Sequence, residues 1–158
     1  MILINPWARK LRNGEENPKN YPYWKELIGK LEDNDIIQIG VEGEKPLVDD
    51  FRKNLSFKEL CKLVNEAEIC IGVDSFLQHL CWYLKKPCIV LWGQSDPAIF
   101  GHSENINILK DKKYLREKQF DLWEFTEYNQ TRFNADAFVS PIEVINIWQI
   151  KKLRNLQN

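Results

Sequence analysis

Short apolar runs bounded by polar or turn residues dominate the pattern: "ILIN" at 2–5, "IIQIGV" at 36–41, "EICIGV" at 68–73 and "PCIVLWG" at 87–93. Runs this short, rich in Ile and Val, predict buried strands, because helices need ten or more residues to present a face. A further run, "NINIL" at 105–109, predicts a fifth strand. Helical spacing fills the intervals. Trp24, Leu27, Ile28 and Leu31 share one face of "YPYWKELIGKLED", and Leu77, Leu80, Cys81 and Leu84 share one face of "SFLQHLCWYLKK". Ser56 followed by Glu59 forms a capping-box signature before "FKELCKLVNEA". Near the end, Pro141 opens "PIEVINIWQIKKLRNL", whose Ile142, Ile145, Trp148 and Ile150 are expected to pack back on the domain, with the helix over 141–154.

Strands alternating with helices imply right-handed crossovers and a mostly parallel sheet flanked by helices. The expected fold is α/β, a single Rossmann-like domain over residues 1–158. Two polar stretches, 6–20 and 41–54, are read as long loops after the first and second strands, where function often resides. Residues 110–140 show no clear period. The aromatic segment 120–133, "FDLWEFTEYNQTRF", lacks interleaved basic residues and is expected to close a sheet edge or to form a partner surface.

Composition narrows the classes of function. The 158 residues are 44% hydrophobic and 28% charged with a formal net charge of -1, so nothing draws the whole chain to nucleic acid. No stretch of 18 apolar residues occurs and the N-terminus lacks a signal-like apolar segment, from which no membrane span and a cytoplasmic location are expected. Cys61, Cys70, Cys81 and Cys88 have no CxxC spacing and sit in apolar contexts, as core thiols do. The tail "KKLRNLQN" holds three cations, weak evidence for a membrane surface.

Polar chemistry concentrates where the third strand gives way to a helix, in "CIGVDSFLQHL". Asp74 and Ser75 fall at the carboxyl end of a strand, and the helix start behind them offers unpaired N–H groups to an anion. Ser75, Gln78 and His79 stand at i, i+3 and i+4, presenting a hydroxyl, an amide and an imidazole together. The plainer alternative is an Asp or Ser cap, a half-exposed Gln and a core-edge His. Loops at the same edge carry Arg9, Lys10, Arg12 and Lys19, then Glu42 and Glu44, then "GQSDPAIFGH". Asp96 is read as the cap of a short helix, Trp92 as core, and His102 as a surface residue with no identifiable partner. No glycine-rich dinucleotide fingerprint or P-loop is present.

These residues resemble glycosyltransferase family 9, the heptosyltransferase-like enzymes, in the C-terminal, donor-binding half of their GT-B fold. The resemblance is carried in order by "KNYPYWKELIGKL", "IIQIGVEGE", "NLSFKELCKLVNEAEICIGVDSFLQHLCWYLKKPCIVLWGQSDPAIFGH" and "SPIEVINIW". It implies that Asp74, Ser75 and His79 hold a diphosphate and its sugar. Lys19 would neutralise the departing diphosphate, and Glu44, with Glu42 as rival, would bond the ribose. Where Phe76 stands the family usually has glycine, so Phe76 enters the site with Gln78. The implied ligand is a nucleotide-diphosphate sugar, with no metal and no other cofactor. The general base of the family lies in an N-terminal half, so a partner protein or a second copy would complete the acceptor site. The alternatives are a non-catalytic module that senses or sequesters a nucleotide or nucleotide sugar, and a degenerate domain retained for assembly.

Overall fold

The computed structural model describes residues 1–11, 14–31, 35–120 and 132–155, with side chains up to residue 150. Strand β1 (Ile2–Asn5) is followed by α1 (Trp24–Gly29), β2 (Ile36–Gly40), β3 (Phe51–Lys53) and α2 (Phe57–Glu66). Then come β4 (Ile69–Val73), α3 (Phe76–Tyr83), β5 (Cys88–Trp92), α4 (Pro97–Phe100), β6 (Ile106–Leu109) and α5 (Pro141–Asn155). The strands form one sheet in the order β3-β2-β1-β4-β5-β6, every neighbouring pair parallel.

The pleat sorts side chains onto two faces. Ile2 and Ile4 of β1, Ile69, Ile71 and Val73 of β4, and Ile89 and Leu91 of β5 join Trp24, Leu27, Phe138, Val144 and Ile145 in one core layer. The intervening residues, Leu3, Cys70, Cys88, Val90 and Trp92, join Leu63, Val64, Leu77, Leu80 and Cys81 in the other. Helices on both faces explain why β4 and β5 are buried at every residue. The four cysteines are free thiols, and hydrogen bonding to Cys81 together with burial holds the Cys70 thiol well above its ordinary range.

Several details depart from the sequence reading. The stretch 41–54 is not loop throughout, because Phe51–Lys53 pairs in parallel with Gln38–Gly40 as a sixth, edge strand. Two of its three residues are exposed, so it carries no apolar period to betray it. In α5 the inward face is formed by Val144 and Ile145, with Ile147 and Trp148 packed beside them. Ile145 and Trp148 pack inward as expected, whereas Ile142 and Ile150, also expected to point inward, are half exposed, because Val144 shares the inward face with Ile145 in their place. The capping box forms as expected: Ser56 accepts from the Glu59 N–H and the Glu59 carboxylate accepts from the Ser56 N–H. Of the aromatic segment 120–133, residues 121–131 lie outside the described residues, as does Arg12.

Candidate functional site

The sheet order reverses between β1 and β4, and in open parallel sheets the crevice beyond such a switch point receives ligands. β1 ends there with Asn5, and β4 runs on into Asp74 and Ser75. Asn5 is buried. Its Nδ2 donates to the Ile39 carbonyl at 3.1 Å and its Oδ1 accepts the Ser75 hydroxyl at 2.9 Å, so one amide ties β1, β2 and the start of α3 together. Ser75 occupies the cap position of α3, yet its side chain makes no capping bond. The first-turn amides of α3 therefore lack the side-chain acceptor that an ordinary Ser cap supplies, and the positive end of the helix dipole is left facing the crevice.

Asp74 is nearly buried and each of its carboxylate oxygens has a defined role. Oδ1 accepts from Gln78 Nε2 at 3.0 Å, one turn along α3. Oδ2 faces the Lys19 ammonium at 2.7 Å, with side-chain exposures of 21% for Lys19 and 7% for Asp74. Gln78 is fully buried and reaches the Phe100 carbonyl at 3.4 Å, so it braces Asp74 from behind, while its own Oε1 finds no hydrogen-bond partner among the described residues. The Lys19 ammonium also stands 5.8 Å from the centre of the Phe100 ring, within cation–π range.

The loop that brings Lys19 to this point is held by amide side chains. Asn20 is buried and its Oδ1 accepts from the Ala8 N–H at 2.8 Å. Asn17 accepts from the Lys19 N–H at 3.1 Å and donates to the Arg9 carbonyl at 2.9 Å. Beyond them Tyr21, packed edge-on against Tyr23, Trp24 and Phe138, donates its hydroxyl to the Val139 carbonyl. Burial pushes that phenol well above its ordinary range, which keeps it a neutral donor.

The loop after β2 forms the opposite wall. Gln38, buried in the strand, donates to the Lys45 carbonyl and accepts from the Leu47 N–H at 2.7 Å. Trp7 donates to the same Lys45 carbonyl at 2.9 Å. Glu44 folds back so that its carboxylate accepts from the Val41 N–H at 3.1 Å, and partial burial holds its carboxyl above the usual range. Gly40 permits this, since a β-carbon there would meet the Glu44 Oε2 at 2.0 Å. Glu42 points outward to a salt bridge with Lys53 at 2.8 Å, and hydrogen bonding to that lysine lowers its pKa.

Between these walls lies a cleft of about 1490 Å³. It brings together Lys19, Glu42, Glu44, Asp74, Ser75 and Phe76 of the residues singled out from sequence, along with Arg9 and Lys10. Phe76 is half exposed and lines the cleft, as do Leu55, Leu60 and Phe133. Gln78 lies beneath the cleft rather than in its wall. His79 is exposed and is not among the lining residues; its Nδ1 stands 2.8 Å from His102 Nε2. His102 thus has partners that the sequence did not reveal, for its ring also stacks on Trp82 at 4.4 Å. Asp96 caps α4 by accepting from the Ala98 N–H, and Trp92 is fully buried, as expected for both. Asn5, Asn17, Asn20 and Gln38 were missed; for Asn5 and Gln38 an amide inside or at the end of an apolar strand is the signal, since buried polar groups need partners, whereas the loop residues Asn17 and Asn20 carried no such signal.

Comparison with known proteins agrees with the motifs. The model of glycosyltransferase family 9 (heptosyltransferase) matches residues 51–123. Lipopolysaccharide heptosyltransferase 1 of Salmonella typhimurium strain LT2 is 27% identical over 114 residues, 63% of this chain and 36% of the relative. TibC, a dodecameric iron-containing glycosyltransferase of enterotoxigenic E. coli H10407, shares the fold with a TM-score of 0.57 and 15% identity, covering 89% of this chain and 36% of its own. The E. coli ADP-heptose lps heptosyltransferase II gives 0.53 and 17% identity, covering 80% of this chain and 43% of its own. In sequence and in fold the chain is therefore similar to the heptosyltransferases of family 9, and it spans about a third of the length of the curated relative. Among the described residues no group of three or more His, Cys, Asp or Glu side chains gathers to hold a metal such as the iron of TibC, and no helix is long and apolar enough to cross a membrane.

Proposed function

We propose that this chain is the donor side of a heptosyltransferase-like glycosyltransferase and that its cleft takes a nucleotide-diphosphate sugar of the ADP-heptose kind. The observation that carries the proposal is the Lys19 ammonium, held 2.7 Å from Asp74 at the uncapped start of α3, inside a cleft whose other wall carries Glu42 and Glu44. A cation and free helix amides at one point suit a diphosphate, and carboxylates across the cleft suit ribose hydroxyls. The family match and the neighbours support the donor class: TibC has been solved in complex with ADP-D-beta-D-heptose.

In the reaction an acceptor hydroxyl oxygen bonds to the anomeric carbon, the bond from that carbon to the diphosphate breaks, and its electron pair leaves with the nucleoside diphosphate. Lys19 and the α3 amides stabilise the charge growing on the leaving oxygen, the term that usually contributes most to such catalysis. No metal is invoked in this step. On this reading the acceptor site and the base that takes the hydroxyl proton are supplied by a partner chain or a second copy; the dodecameric state of TibC is in keeping with assembly.

Calorimetry with ADP and with ADP-heptose tests the reading. The unaltered protein should bind both, and Lys19→Met should weaken each by at least about tenfold, the value of one charge-assisted hydrogen bond. Absence of heat at millimolar ADP-heptose would sink the proposal. Tight binding with no ADP release, when acceptor and partner fractions are supplied, would instead favour a sensing module.

A further inference from the structure

Beside the cleft, two imidazoles meet. His79 Nδ1 and His102 Nε2 are 2.8 Å apart, and the ring centres are 5.0 Å apart with the planes at 88°. A nitrogen lies little more than an ångström from its own ring centre, so the two ring centres and the two nitrogens lie nearly on one line. Such a contact needs one proton between the rings, and an imidazole that accepts at one nitrogen must carry its proton on the other.

We infer that His102 donates this proton and thereby fixes His79 as the tautomer with an N–H at Nε2. Two directions are possible. If His102 donates, both rings are Nε2–H tautomers, the form an isolated histidine side chain prefers in water. If His79 donates, both rings adopt the less favoured Nδ1–H form. The first is therefore favoured, and the surroundings hold the two rings in contact. His102 is clamped by its stack on Trp82, whose indole N–H donates to Glu104 at 3.1 Å. The charged groups acting on His79 are Asp74 from the end of β4, Lys19 from the loop after β1, and His102 itself. Burial first, then His102, lowers the His79 pKa, with Asp74 opposing and Lys19 adding to the effect, which favours the neutral ring.

One extra proton on the pair does not change the outcome, for whichever ring holds it, His79 Nε2 still carries hydrogen. Only a second proton separates the rings. His102 is then a positioning residue. What it positions rests on the donor-binding reading above: His79, one turn beyond Ser75, lies outside the cleft lining but near enough to Asp74 and Lys19 to feel their charge, so its N–H is available to the edge of an anionic ligand seated there.

Long-range ¹H–¹⁵N spectra of the ligand-free protein at neutral pH test this without any ligand. His79 should show a protonated Nε2 and a bare Nδ1. In His102→Phe, which keeps a ring on Trp82 and removes the N–H, the same signals should move to a mixture of tautomers. In His102→Gln, whose amide can donate, they should return to the Nε2–H form. Affinity for ADP should fall a few-fold in the Phe variant and recover in the Gln variant. An Nδ1–H signal for His79 in the unaltered protein overturns the inference, as does a His79 spectrum that His102→Phe leaves unchanged. Spectra that behave as described in a protein that binds no ADP would leave the tautomer lock standing and remove only the donor-binding reading.

Discussion

Two ion pairs border the same cleft at nearly the same distance and differ in nearly everything else. Lys19 and Asp74 meet at 2.7 Å with side-chain exposures of 21% and 7%, whereas Lys53 and Glu42 meet at 2.8 Å with exposures of 41% and 72%. Behind Asp74 stands the buried Gln78 amide, and the loop bearing Lys19 is stitched by Asn17 and Asn20. The Glu42 backbone N–H reaches the exposed Asn54 side chain at 3.3 Å. Distance alone therefore says little. Water screens the outer pair and leaves both side chains free to part, while the inner pair holds one geometry in a low-dielectric setting.

The comparison can be broken from its strong side. Lys19→Met leaves the Asp74 carboxylate buried with the Gln78 amide as its remaining side-chain partner, and removing one member of a buried pair costs several kcal/mol in fully enclosed cases. With Lys19 partly exposed, the expected loss is about 2 kcal/mol in urea titration. Adding Asp74→Asn should restore part of it, since no buried charge then stands alone. A Lys19→Met variant as stable as the parent would show that the inner pair is no stronger than the outer one.

Gln78→Leu is next in size. It removes a hydrogen bond to a carboxylate, but also removes a buried oxygen that has no partner among the described residues, so the net loss should be about 1 kcal/mol. Its effect on ADP affinity should exceed its effect on stability, because Asp74 is released from the position that holds Lys19. Equal stability and equal affinity would mean that Gln78 merely fills space.

The smallest effect is expected from Glu42→Gln. The outer pair is solvent-exposed, so neither the urea midpoint nor its salt dependence should move beyond measurement error. A clear loss of stability would put the two pairs in one class; a loss of nucleotide affinity with unchanged stability would identify Glu42, rather than Glu44, as the ribose contact.

Much of this arrangement was legible before folding. The apolar runs and their helical intervals announced the α/β layers, Ser56 and Glu59 announced a cap that forms, and Asp74 and Ser75 stood where a strand hands over to a helix. Lys19 was picked out by its place in the motif order, and it reaches Asp74 from 55 residues away. The edge strand Phe51–Lys53 was hidden because an exposed edge needs no apolar period. Of the α5 residues expected inward, Ile145 and Trp148 do pack on the core while Ile142 and Ile150 do not, because several rotations of "PIEVINIW" present comparable apolar stripes and packing on α1 and Phe138 chose among them.

The sequence by itself determined the elements other than the edge strand Phe51–Lys53, their parallel arrangement and the strand end at which polar groups gather, because apolar period and capping chemistry act over a few residues. Only the tertiary structure decided that the Ser75 hydroxyl turns from its own helix to Asn5, that Gln78 sinks below the cleft to brace Asp74, and that His79 meets His102. Each of those choices was open locally. Asn5 lies 70 residues from Ser75 and His102 lies 23 from His79, and partners so distant are selected by which strands lie side by side and which groups burial leaves in need of a hydrogen bond.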